Sequence, residues 1–240
     1  MHVIVLSIDT CDARGEVVLL CDGVALAAAN HQSEQDYSSW LLPAVGEVLA
    51  KARVEMVQID AFGVATGPGS FTGSRIGLTT VKAWGEVYRK PIVGVSRLEL
   101  IARQAWSGAN YVGSWTDARR GQVFGAVYRR NGDDLDRLGD EMVMAPGKFV
   151  AAAAEMARGE KIAWASTDAD CVFNTQEWKA RENLAEGFEL VSGSLGIGVA
   201  RIARSAVLAG RFTDALGLDA NYVRPSDAEI FWKGGAAHGH

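Results

Sequence analysis

The sequence predicts an α/β protein of two lobes, each built on a mixed sheet. Three observations carry this reading. The first hundred residues run in the order βββαβαβα, a meander followed by strand–helix units. A second series of strands and helices opens near Tyr111 in the same manner. The 240 residues suit one large domain or two small lobes. The expected division is an N-terminal lobe over 1–106, a C-terminal lobe over 107–233 and a flexible tail over 234–240.

Val3–Thr10 reads as the first strand, with Asp12–Gly15 as its turn and Glu16–Cys21, rich in Val and Leu, as the second. Asp22-Gly23 is a two-residue type I′ signal, because both residues tolerate positive φ. Val24–Asn30 continues as a third strand. From about Asp36 the period becomes helical, with Leu41, Leu42, Val45, Val48 and Leu49 on one face. Pro43 is tolerable there only in the first turn or as a kink. Ile59–Thr66 is a buried strand and Gly67–Gly73 a glycine-rich turn. A helix runs from about Gly73 to Tyr88, then come the strand Pro91–Ser96 and the helix Arg97–Trp106. In the second lobe, Tyr111–Thr116 and Gln122–Arg130 are strands around the turn Asp117–Gly121, and Asn131–Asp134 is a turn. Met142–Met144 and Ile162–Ser166 are short strands, Phe149–Arg158 and Gly193–Leu208 are helices, and Asn174–Asn183 fits either class.

Composition removes several function classes. Twenty-four basic against 29 acidic residues leave a net charge of −5, a poor footprint for unaided nucleic-acid binding. The longest apolar runs fall far short of the roughly 20 residues a membrane span needs, so no membrane association is expected. Three cysteines without a CxxC read as reduced and the location as cytoplasmic. Of four histidines only His31 is internal, so a hydrolytic triad or a His-rich metal site has one candidate imidazole. No catalytic residue and no metal ligand set is expected.

Two features suggest function. Ile8-Asp9-Thr10 and Thr116-Asp117-Ala118 each end a strand with an Asp and lead into a turn and a Val-rich strand. This is either chance or a duplicated fold with two hairpins facing one cleft, as in actin-like ATPases, where turn N–H groups and the Asp hold phosphates and a cation. Asp9, Thr10, Asp117 and Arg119 are the candidate cleft residues. Their alternative is ordinary Asx-turn chemistry. The second feature is Gly67-Pro68-Gly69-Ser70-Phe71-Thr72-Gly73-Ser74-Arg75-Ile76-Gly77. It is neither a P-loop nor G-x-G-x-x-G. It reads as a strand-to-helix turn capped by Ser70 or Thr72. Gly73 and Gly77 each cost a helix interior about 1 kcal/mol. The bare stripe they make, continued by Thr80, Val81 and Trp84, serves either packing within the lobe or the approach of a partner's helix beside Leu41–Leu49.

This glycine segment resembles the signature of the TsaB (YeaZ) family, bacterial subunits of the machinery for N6-threonylcarbamoyladenosine on tRNA. Ile8-Asp9-Thr10, Asp117-Ala118-Arg119, Tyr222-Val223-Arg224 and Trp232-Lys233 agree in position, and the likeness covers nearly the whole chain. It implies a two-lobed actin-like (ASKHA, ribonuclease H-like) fold. It also implies a non-catalytic scaffolding subunit that pairs with a TsaD-type catalytic subunit and recruits a TsaE-type ATPase, meeting tRNA only through the complex. The implied interface is Leu41, Leu42, Val45, Val48, Gly73, Arg75, Ile76, Gly77, Thr80, Val81 and Trp84, with homodimers through the same helices when the partner is absent. A bulky residue at Gly77 is expected to abolish pairing and leave the chain folded. No cofactor is required, and ATP or ADP with Mg would sit at a shared or vestigial cleft. Tyr37 stands where relatives commonly have His, and Gln122 and Phe124 where many have Glu and Tyr. Gln122 cannot hold a cation as a carboxylate would. The alternatives are a stand-alone actin-like ATPase or kinase, resting on Asp9 and Asp117, and a peptidase, resting on His31.

Overall fold

The computed structural model describes residues 2–31, 35–168, 170–221, 223 and 224. Tyr222, Trp232, Lys233 and the tail 234–240 lie outside them. The first sheet contains β1 (Ile4–Asp9), β2 (Glu16–Cys21), β3 (Val24–Asn30), β4 (Ala61–Gly67) and β5 (Ile92–Ser96). Its order is β3-β2-β1-β4-β5, antiparallel across β3, β2 and β1 and parallel across β1, β4 and β5. The second contains β6 (Tyr111–Asp117), β7 (Val123–Asn131), β8 (Asp134–Arg137), β10 (Ile162–Ser166) and β11 (Phe188–Leu190), with β9 (Met142–Met144) paired to β7. Its order is β8-β7-β6-β10-β11. With β9 left out and the strands renumbered from β6, this is the same order as the first sheet, with the same split between antiparallel and parallel pairs. The echo between Asp9 and Asp117 is therefore topological: each is the last residue of the first strand of its sheet.

Strand alternation decides which helix covers which face. Leu6, Ile8, Val17 and Leu19 form one core with α1 (Tyr37–Ala52) and α2 (Phe71–Tyr88). Val5, Val18, Leu20, Ala61 and Ala65 point the other way, onto α7 (Gly196–Leu208). In the second lobe Trp115, Val123, Val127 and Trp164 pack with α4 (Pro146–Met156) and with Trp178 of α6 (Gln176–Lys179), while Val172 of α5 (Asp170–Phe173) closes that core. The helix after β5, α3 (Arg97–Ala102), packs on β6, β7 and β10 of the second sheet as well as on β4 and β5 of its own; α7, after β11, packs on β1, β2, β4 and β5. Packing thus crosses the expected boundary at 106–107 in both directions. Thr213 bridges to Ile92, and Leu218 joins the first-lobe core.

Two serines reinforce this exchange from equivalent places. Ser7 on β1 donates to the Gly196 carbonyl at the start of α7 at 2.9 Å. Ser114 on β6 donates to the Leu98 carbonyl in α3, also at 2.9 Å. The segments read differently from sequence are short. Asp134, expected to end a turn, is the first residue of β8; neither β8 nor β11 is expected from the sequence, and the ambiguous stretch contains α6. Ser70 caps α2 by accepting from Gly73 N–H at 3.2 Å, so that helix begins two residues before the expected Gly73.

Candidate functional site

A cleft of about 870 Å³ opens between the lobes. The β1–β2 turn, the Gly67–Ser70 turn, the first turn of α2 and the Asp117–Arg120 turn line it, with Asn221, Val223 and Arg224 at its side. Arg75, Arg119, Arg120 and Arg224 bring guanidinium groups to it, and Asp12, Asp117 and Asp168 bring carboxylates.

The centre of this arrangement is Arg97, the first residue of α3. It is only 1% exposed, and its Nε donates to Asp9 Oδ2 at 3.2 Å. Its Nη2 donates to Asp12 Oδ2 at 3.3 Å and to the Gly193 carbonyl at 3.0 Å. Burial favours the neutral guanidine, but Asp9 and Asp12 outweigh it and hold Arg97 firmly protonated. Asp9 is fully buried, and its other oxygen accepts the Cys11 N–H at 2.9 Å. The carboxylate expected to reach a cation is therefore spent inside the protein, joining β1, α3 and the chain before α7. Thr10 is buried as well, donating to the Gly73 carbonyl at 2.7 Å. Neither Asp9 nor Thr10 lines the cleft, which corrects their expected placement there. Asp117 and Arg119 do line it. Asp117 Oδ1 accepts the Arg119 N–H at 2.7 Å, and Oδ2 lies 3.2 Å from the Arg119 guanidinium.

Magnesium with a nucleotide does not fit the expected ligand pair. One of its two carboxylates is neutralised by Arg97, and the other is turned onto Arg119. Among the described residues the cleft also offers no activated nucleophile. Burial, helped by Asp9, pushes the Cys11 thiol up to about 12. The Ser74 hydroxyl donates to the Ser70 carbonyl. Asp168, missed in the sequence, accepts from Asp117 N–H at 3.1 Å and from the Thr116 and Thr167 hydroxyls at 2.8 and 2.9 Å. Burial pushes it up, but these hydrogen bonds together hold it below the usual carboxylate value. His31 has the Ala13 and Gln35 carbonyl oxygens at its two ring nitrogens and stacks on Tyr37 at 4.0 Å. Neither bonding partner is a hydroxyl or thiol, so among the described residues the peptidase reading finds no nucleophile–base pair at His31.

The residues that depart from the family pattern have local partners. The Tyr37 hydroxyl donates to the Asp12 carbonyl. Gln122 Oε1 accepts from Arg224 at 2.5 Å, and the same guanidinium donates to the Ala118 carbonyl and lies 5.5 Å from the Phe124 ring centroid.

The expected interface residues divide by face. Leu41, Val45, Val48, Gly73, Gly77 and Val81 point inward and are buried in this chain. A Cβ on Gly73 would strike the Thr10 carbonyl oxygen, and one on Gly77 the Thr10 hydroxyl. The bare stripe is filled by the end of the chain's own β1, which corrects the expectation that it receives a foreign helix. Arg75 and Leu42 are exposed, Leu42 at 60%, and Ile76, Thr80 and Trp84 are half-buried at the flanks. The outward surface carries Val87 as well, at 72%. Arg97 carries no direct mark in the sequence. One signal existed: a cation on the first turn of a helix is disfavoured by the dipole and needs a compensating partner.

Comparison with known proteins places this geometry. The family described as "TsaD: tRNA N6-adenosine threonylcarbamoyltransferase" matches residues 28–225. The chain is 28% identical over 234 residues to the tRNA threonylcarbamoyladenosine biosynthesis protein TsaB of Bacillus subtilis, covering 95% of this chain and 97% of that one. It is 34% identical over 129 residues to the protein of the same description in Escherichia coli. That match spans 53% of this chain and about half, 55%, of the relative's length. A Pseudomonas aeruginosa crystal structure, described as uncharacterized with similarity to peptidase YEAZ, superposes with a TM-score of 0.71 at 24% identity, covering 92% of this chain and 100% of that one. A ROK hexokinase from Thermus thermophilus reaches 0.53 at 12% identity, covering 86% and 100%. These likenesses and the duplicated sheet order make the fold the two-lobed actin-like one.

Proposed function

We propose a function from one premise: the chain belongs to the family of tRNA N6-adenosine threonylcarbamoyltransferase (TsaD) domains, as a TsaB (YeaZ) type member. It takes part in making N6-threonylcarbamoyladenosine on tRNA, as a cytoplasmic subunit without chemistry of its own. It pairs with a TsaD-type catalytic subunit, and the pair recruits a TsaE-type ATPase. tRNA is met through the complex.

The observation that carries the non-catalytic reading is the Asp9–Arg97 pair. An actin-like ATPase needs a carboxylate near the phosphates, and here it is buried against a cation. Any nucleotide in the cleft is held by arginines and is not turned over by this chain. The pairing surface in this reading is the outward side of α1 and α2, with Leu42, Arg75, Ile76, Thr80 and Trp84 among its members. The same surface joins two copies when the partner is missing. Among the described residues no helix is long and apolar enough to cross a membrane, in keeping with this role.

Reconstitution tests it. A TsaD-type and a TsaE-type protein with unmodified tRNA, ATP and threonylcarbamoyl adenylate should form the modified nucleoside only when this chain is added. The chain alone should release no phosphate from ATP. Modification at an equal rate without it, or magnesium-dependent ATP turnover by the chain alone, would refute the reading.

A further inference from the structure

At the end of β1 far from the cleft, three side chains of different chemistry meet. Ile4 faces Cys21 across the β1–β2 pair, and His2 stands two residues before Ile4, so strand alternation brings His2 and Cys21 out on one face. Asp22 begins the tight turn to β3 with φ of 49°, and Gly23 follows at 87°. That left-handed backbone swings the Asp22 carboxylate back over β1 instead of along the hairpin. Its Oδ1 accepts the Val3 N–H at 3.0 Å, which fixes its orientation, and its Oδ2 meets His2 Nδ1 directly. One donor atom from each of His2, Cys21 and Asp22 lies within 4.8 Å of the other two. Arg204 approaches Asp22 Oδ1 at 3.9 Å, on the oxygen that Val3 already engages.

We propose that His2, Cys21 and Asp22 form a binding site for a divalent cation of the zinc class. The donor set is one imidazole, one thiolate and one carboxylate, the mixture that suits zinc and excludes magnesium and calcium, which take oxygen. Tetrahedral zinc with bonds of about 2.0–2.3 Å holds its donors roughly 3.3–3.8 Å apart. The His2 side chain, 88% exposed, can turn to close that difference. The site is open on its solvent side, so three protein ligands and one water complete the coordination. Charge balances: the cation displaces the Cys21 proton to solvent, and thiolate plus carboxylate neutralise its two charges. The Val3 N–H on Asp22 acts as the outer partner that orients the ligating carboxylate. The ion would pin the start of β1 to the β2–β3 turn. This role is independent of how α1 and α2 are used.

Cobalt(II) titrated into the purified full-length chain tests it, because a cysteine ligand gives a thiolate-to-cobalt charge-transfer band in the near ultraviolet. The C-terminal His238 and His240 carry no thiol and cannot produce that band. The expected result is one cobalt per chain, with the band and tetrahedral visible bands bleached by added zinc. Cys21→Ser should abolish the charge-transfer band. His2→Ala, at a side chain too exposed to unfold the protein, should weaken cobalt binding at least tenfold. Asp22→Asn, which keeps a residue suited to the turn, should also weaken it, with circular dichroism unchanged in all three. Absence of the band, its persistence in Cys21→Ser, or unchanged affinity in His2→Ala would overturn the proposal.

Discussion

Arg97 is the residue on which the cleft depends. Removing one partner of a buried ion pair strands the other, at a cost of about 3–5 kcal/mol. Arg97→Met should therefore lower unfolding stability by about that amount in urea titrations. Coupling with Asp9→Asn should make the double variant lose less than the sum of the two singles. An additive result would mean that the pair does not act as a unit. Gly77 belongs at the same scale. A side chain there meets Thr10 of the same molecule, so Gly77→Leu should lower the melting temperature of the isolated chain before any partner is added. A normal melting temperature would show that the stripe is open after all. Two carboxylates set opposite pH trends. Burial raises Glu141, against hydrogen bonds from Ser96 and Asn221, so its folded form binds a proton more tightly than the unfolded chain does. Its contribution is full below the unfolded value of 4.5 and is lost as pH rises through the raised value. Asp168 is lowered, so its contribution is present above 3.8 and is lost as pH falls through the depressed value. Glu141→Gln should flatten the pH dependence of stability on the first side, and Asp168→Asn on the acid side. Unfolding midpoints measured across pH read both.

Elements were legible where local chemistry specifies them. Asp22-Gly23 predicts the β2–β3 hairpin because the turn type follows from those two residues alone. Ser70 predicts the start of α2 because capping is a local hydrogen bond, and Ser70→Ala should cost about 1 kcal/mol. β8 was hidden because Asp134-Leu135-Asp136-Arg137 is mostly charged and borrows its order from β7. The role of Arg97 was hidden for a different reason: Asp9 lies 88 residues away, and no local period records such a contact. The glycine stripe was visible but ambiguous, since a helix shows a bare face to its own strand and to a stranger in the same way. The exchange of α3 and α7 was not legible either. Amphipathic pattern tells that a helix has an apolar face, not which sheet it covers.

At the scale of the molecule, the two lobes repeat one sheet order, and each lends a helix to the other. The first sheet needs Val199, Ala200 and Ala203 of α7 to cover the face that α1 and α2 do not. A fragment of residues 1–106 should consequently fail to fold cooperatively, and sharp, dispersed amide spectra from it would contradict this. With the inner sides of α1 and α2 committed to the core, only their outward sides remain for a partner. The most direct measurement is light scattering on this chain mixed with a TsaD-type subunit from the same cell. A complex of one chain with one subunit is predicted for the natural sequence. It should be lost in Leu42→Glu and in Val87→Glu, two side chains exposed on the outward surface, with the circular dichroism of each variant unchanged. An intact complex in both variants, or no complex with the natural sequence, would contradict the account.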